Sequence, residues 1–142
     1  MKKSIFVILI FSVLLNGVLV AGYIIEKNSM KSYQKLFSMN AQSAAEHFSA
    51  YNQSELNGEF IYAVADVNIM RQTMFLMKDI KDDSFIKEHF NELYGQLVLY
   101  PEKLHPYSLD LVVICELLQE DYANQNAHNK IVELLNQINH NE

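Results

Sequence analysis

The sequence predicts an all-α protein: an N-terminal transmembrane helix followed by an antiparallel bundle of four to five helices. Three observations predict it. Residues 5–25 carry no charge, and 17 of those 21 residues are apolar or aromatic. Further along, apolar side chains recur at intervals of three and four, the period of one helical face. Four glycines and two prolines in 142 residues are too few turn formers for a small all-β chain. Half of the residues are apolar and a fifth are charged, which excludes a disordered chain. The single cysteine, Cys115, rules out an internal disulfide framework.

The first element is the apolar stretch. A helix rises ~1.5 Å per residue, so residues 5–25 span about 30 Å, the thickness of a bilayer's hydrocarbon core. Lys2 and Lys3 precede it and stay cytoplasmic under the positive-inside rule, and Tyr23 suits the far interface. The sequence therefore divides into a signal-anchor helix at 1–25 and an extracytoplasmic bundle at 26–142. The alternative is a secreted protein cleaved near Gly22. Against cleavage, the apolar run continues through Ile24 and Ile25, beyond the usual ~7–15-residue core of a signal peptide. No cysteine follows the run, so lipid attachment there is excluded.

Of the 11 basic residues, Lys2 and Lys3 lie before the anchor; the remaining 9 face 17 acidic residues, a net charge of −8 for the outer segment. Nucleic acid is a poor partner for such a surface, which lacks clustered basic residues. A peripheral grip on anionic lipid is disfavoured for the same reason.

The bundle helices follow in order. Met30, Tyr33, Phe37, Ala41, Ala44, Phe48 and Tyr51 mark one face of a helix that continues from the anchor or follows a short hinge at 26–29. Asn52–Gln53–Ser54, with Asn57–Gly58, signals a turn. A second helix is expected over 59–78. Phe60, Val64, Val67, Met70, Met74 and Met77 fall on one side of it, and Ile61, Ala65, Ile69 and Leu76 on another. A helix apolar nearly all round is expected to be buried by several neighbours. The charged run 78–83 reads as a loop, with Asp83 or Ser84 capping the third helix, 85–100. Pro101 and Pro106 break the chain. The apolar run 111–115 fits a buried strand or a helix; its length, its flanks and the want of a partner strand favour a helix over 107–122. The asparagine-rich stretch at 124–129 is a loop or a polar helical turn, and Ile131, Leu134, Leu135 and Ile138 mark the last helix.

Catalytic constellations are missing. There is no Gly-x-Ser-x-Gly elbow and no glycine-rich phosphate loop. Cys115 lies in the most apolar run, where a thiol stays protonated. No two histidines fall within one helical turn. The pairs His89/Glu92 and Glu102/His105 have helical ligand spacing but read as surface residues, and the set needed for a di-iron bundle is absent. Met70, Met74 and Met77 share the spacing of a soft-metal site for Cu(I), and equally that of a core stripe. No cofactor is expected.

Arg71 is the anomalous residue, because it falls between apolar positions of the second helix. A buried guanidinium needs a partner. Glu46, Asp66, Asp110 or Glu116 are the expected acids, unless the head snorkels to water. The functional alternative has Arg71, with Asp66 and Tyr62, holding a ligand carboxylate or a partner peptide. The seven tyrosines beyond the anchor suit either an interface or bundle edges.

The expected function is therefore a membrane-anchored, extracytoplasmic helical-bundle protein without enzymatic activity, acting as an accessory or regulatory protein that binds a protein or peptide. The alternative is a bundle that senses a small ligand or metal. A helical domain just outside a membrane helix, with Arg71 in the bundle, resembles in architecture the input domains of bacterial chemoreceptors and sensor kinases, and that likeness implies signalling through a partner.

Overall fold

The computed structural model describes the chain apart from Met1, residues 78–82 and residues 141–142, with side chains described at 19–77 and 85–140. The loop expected at 78–83 and the capping side chain expected at Asp83 or Ser84 lie outside the described residues. The chain divides into two compact units, Met1–Ser32 and Tyr33–Glu142.

The first unit is helical and belongs to α1 (Lys2–Ser54). Most of the membrane span expected at 5–25 lies among side chains that are not described. Among the described residues, no helix is long and apolar enough to cross a membrane. In this unit the described side chains of Leu19, Val20, Tyr23, Ile24 and Ile25 are each half-exposed or more.

The second unit is an all-helical bundle. It comprises the end of α1, α2 (Asn57–Leu76), α3 (Asp83–Leu99), the single turn α4 (Pro101–Leu104), a 3-10 turn (His105–Tyr107), α5 (Ser108–Glu120) and α6 (Gln125–His140). No strand occurs among the described residues. The run 111–115 is helical because its apolar residues extend at helical spacing: Leu111, Ile114, Cys115 and Leu118 face the core, while Leu109 and Val113 face out. α2 packs on α3, α3 on α6, and α6 on α5. α1 contributes the expected face. Its Phe37 meets Phe90 of α3 at 6.4 Å and Tyr122 at 6.3 Å between ring centroids, and its Phe48 meets Phe60 of α2 at 5.6 Å. Edge-on and tilted pairs at such spacing are favourable beyond the area they bury.

The connections differ from expectation in one place. The turn after α1 is confined to Glu55 and Leu56, and Asn57 and Gly58 already lie in the first turn of α2. Reversal is achieved at Glu55, whose φ of 54° is left-handed and whose amide donates to the Tyr51 carbonyl at 2.7 Å. Such a helix C-terminus ordinarily favours glycine. Pro101 opens α4, where its missing N–H is no loss, and Leu104 is fully buried beneath the break. Asn124 resolves the asparagine-rich stretch: its Oδ1 accepts from the amides of Asn126 (2.9 Å) and Ala127 (3.2 Å), capping a new helix.

The expected all-round burial of α2 is overturned. Phe60, Ala63, Val67, Met70 and Met74 are 0–3% exposed, but Ile61, Ile69 and Leu76 are 39–65% exposed and Ala65 is also exposed. α2 presents one face to this bundle, and among the described residues the other is approached only at Phe75, where Lys87 Nζ lies 6.0 Å from the ring centre.

Candidate functional site

α2 organises every candidate position, because its buried stripe fixes how the rest of its surface is divided. On one flank of that stripe, Glu59, Tyr62 and Asp66 approach His47 of α1. The His47 Nδ1 lies 2.7 Å from Glu59 Oε2, its Nε2 lies 3.9 Å from Asp66 Oδ2, and its ring centre is 5.5 Å from that of Tyr62. The Asp66 Oδ2 is buried and forms no hydrogen bond to a described group. An imidazole held between two carboxylates joins the end of α1 to the start of α2 across the short turn. Sequence reasoning missed His47 and Glu59. The available signal was the placement of Glu59, Tyr62 and Asp66 on one side of a helix; their histidine became visible only once the turn folded α1 back on α2.

Arg71 occupies the opposite flank. Its Nη1 donates to Asn91 Oδ1 at 2.8 Å, its Nη2 to Asn68 Oδ1 at 3.3 Å, and its guanidinium lies 4.6 Å from the centre of the Tyr94 ring. The expected carboxylate partner is thus replaced by two amides and an aromatic face. Glu46, Asp66, Asp110 and Glu116 make none of its contacts. An arginine can be held this way because the guanidinium is planar, weakly hydrated and able to stack. The structure therefore brings Asp66 and Tyr62 together and sets Arg71 apart from both. The Arg71 Nε is buried without a described hydrogen-bond partner.

Beyond Asn57 and Gly58 of its first turn, the remaining surface of α2 is an outer sector: Ile61, Tyr62, Ala65, Asn68, Ile69, Gln72, Phe75 and Leu76. None of these eight carries a charge, and Tyr62 is 59% exposed, Phe75 53% and Leu76 54%.

Other marked residues take structural places. Met70, Met74 and Met77 are fully enclosed by the core. Burial, then Asp66 and then Glu116, push the Cys115 thiol up to about 12, which keeps it protonated. His105 packs its ring against Tyr51 at 4.8 Å and Phe60 at 4.4 Å. His89 Nδ1 lies 2.8 Å from the Phe85 carbonyl, and His89 stands 5.3 Å from the buried ring of His128. Burial first, and His89 second, lower the His128 pKa below its ordinary value. Among the described residues, no three His, Cys, Asp or Glu side chains converge to hold a metal ion.

An open groove of about 480 Å³ runs between α1 and α5, with Glu46, Ser49 and Gln53 on one wall and Val112, Glu116 and Gln119 on the other. Beside it, Ser38 Oγ donates to the Gln119 carbonyl at 3.0 Å and closes the seam. The chain matches no protein-family model, no curated protein and no solved structure.

Proposed function

We propose that this chain is a membrane-anchored, extracytoplasmic helical bundle that works by docking a protein chain on the outer sector of α2. The observation that carries the reading is that sector: eight contiguous uncharged residues, most of them large and exposed, on an otherwise acidic chain. Contiguous exposed apolar surface marks interaction sites, and tyrosine is enriched in them. The anchor is supported by the uncharged run 5–25 and by the outward-facing Leu19, Val20, Tyr23, Ile24 and Ile25, which suit lipid. Lys2 and Lys3 favour a cytoplasmic N-terminus under the positive-inside rule, and cleavage near Gly22 is the alternative. A binding role without catalysis is supported by the lack of any elbow, phosphate loop or reactive thiol in the sequence. Tyr62 belongs to the docking sector; Asp66 and Arg71 flank it.

The test is affinity purification of the full chain in detergent, beside Ile61→Asp and Ile69→Asp variants. The expected result is a stoichiometric second chain with the wild type and its loss from both variants. Recovery of a monomeric chain with nothing bound to it, in every case, overturns the reading. A reporter fused after Glu142 tests the anchor, with activity expected only outside the cytoplasm.

One observation favours a second reading, that of a ligand-sensing bundle. The groove between α1 and α5 sets Glu46 opposite Glu116, an arrangement suited to a cationic ligand. A thermal-shift screen with amino acids, organic acids, polyamines and copper or nickel salts tests it, since a bound ligand raises the melting temperature.

A further inference from the structure

We infer that the occupant of the outer sector of α2 is a second copy of this chain, paired antiparallel about a two-fold axis that passes between Asn68 and Ile69. The inference rests on the docking reading above and names its partner. It starts from the order of the sector's residues. From Ile61 to Leu76 they stand at the one- and three-residue intervals of a single helical stripe, so the face can be laid antiparallel on itself in register. A two-fold interface uses the same patch on both subunits.

Laid antiparallel on itself, the sector sets Ile61 beside Phe75 of the partner subunit, Tyr62 beside Leu76 of the partner subunit, and Ile69 beside its own counterpart. The small Ala65 then meets the longer Gln72 of the partner subunit, so the seam keeps an even thickness. A parallel pair would instead set Ala65 against Ala65 and leave a gap at mid-helix. Antiparallel pairing also opposes the two helix dipoles favourably.

Charge points the same way. Two copies of a chain of net charge −6 repel, and they approach at least cost where neither presents a charge. The sector's own eight side chains meet that condition, with Glu59, Asp66 and Arg71 on its flanks and one cation of α3, Lys87, whose Nζ lies 6.0 Å from the centre of the Phe75 ring. A membrane surface fits less well, because an interfacial helix carries lysine and arginine beside its apolar face, and α2 has one basic residue, Arg71, held by Asn91 and Tyr94. Area is sufficient. The five large exposed side chains offer ~100 Å² each, so two copies cover about 1,000 Å², the lower bound for a specific interface.

The experiment uses the full chain in mild detergent, oxidised by copper–phenanthroline, with single cysteines introduced at chosen positions. Cys115 needs no replacement, because its buried, protonated thiol leaves the wild type as an uncross-linked control. Ile69→Cys should give mostly disulfide-linked dimer, and Glu133→Cys, on the exposed side of α6, none. Ala65→Cys mixed with Gln72→Cys should cross-link far more than Ala65→Cys alone, since antiparallel pairing sets position 65 against position 72. Copies carrying two different tags should co-purify as wild type and separate as Ile69→Asp.

Efficient cross-linking of Ala65→Cys to itself, without the mixed product, overturns the antiparallel pair. A chain that stays monomeric but captures a different protein, released by Ile69→Asp, overturns the second copy and leaves the docking reading standing. A monomer that captures nothing overturns both.

Discussion

The two faces of α2 are built from the same kind of residue and meet opposite fates. Phe60, Ala63, Val67, Met70 and Met74 are sealed inside the bundle, while Ile61, Tyr62, Ile69, Phe75 and Leu76, each within a few positions of them, stand 39–65% exposed. Hydropathy states only that a surface gains by leaving water, at roughly 25 cal/mol per Å². It does not state who supplies the cover. On the inner face, α1 and α3 supply it. On the outer face no described residue seals it, and the proposed second copy would supply the cover.

The largest effect expected belongs to the inner face. Phe60 fills the space between Phe48, Tyr51 and His105, with ring centroids at 5.6, 5.2 and 4.4 Å. Phe60→Ala leaves a cavity in a closed core and should cost about 3–5 kcal/mol in urea-induced unfolding. Its neighbour in sequence, Ile61→Ala, should cost a small fraction of that. Equal losses at the two positions would mean that the outer face is also covered within one chain, and the contrast would fail.

The flank occupied by Arg71 comes next. Arg71→Met keeps the stem and removes two hydrogen bonds and the contact with Tyr94, for an expected loss of about 1–2 kcal/mol. A double-mutant cycle with Asn91→Ala should show coupling, because the two side chains bond directly at 2.8 Å. If Arg71→Met instead stabilises the bundle, the guanidinium is a burden there, and a ligand-holding role regains force.

Much of the fold was legible in the sequence because the helices bury narrow stripes at strict spacing. Phe37, Ala41, Ala44 and Phe48 on α1, and Ile131, Leu134, Leu135 and Ile138 on α6, lie in the core where periodicity put them. The prolines and Asn124 likewise act where local chemistry required a break or a cap. The candidate site was less legible. The partners of Arg71 are amides on α2 and α3, and a search for opposite charge passes over them. His47 meets Glu59 only because the turn is confined to Glu55 and Leu56, tighter than the signals at 52–54 and 57–58 suggested. The exposure of the outer face of α2 depends on which helices are absent beside it, and a single strand of periodicity carries no record of that.

A buried polar group sharpens the comparison in a third helix. His128 faces inward on α6, packed on Phe85 at 5.1 Å and beside His89, and neither ring nitrogen bonds a described group. Its pKa in the folded state lies below the ordinary 6.5, through burial and then through His89. The unfolded chain therefore binds a proton first as pH falls. Stability is fully present above about pH 6.5 and declines below it, until the folded state is protonated as well, at a slope no steeper than one proton allows. Melting temperatures of wild type and His128→Phe across pH 7.5 to 5 should diverge, with the variant losing the His128 part of the decline. Parallel curves would place the pH dependence elsewhere.

The smallest effect on stability, and the most decisive for the comparison, belongs to the outer face. In a chain diluted until it is monomeric, Ile69→Gln trades one exposed side chain for another and should change the unfolding free energy by no more than about 0.5 kcal/mol. The same substitution places two amides at the centre of the paired seam, where Ile69 would meet its counterpart. Sedimentation velocity over a concentration series should then show a wild-type chain that dimerises and an Ile69→Gln chain that does not. A face that contributes almost nothing to its own fold and nearly everything to association is what separates an uncovered docking surface from a poorly packed core. If Ile69→Gln instead lowers stability as Phe60→Ala does while the sedimentation profile stays unchanged, the outer face belongs to the fold and the second copy has no seat there.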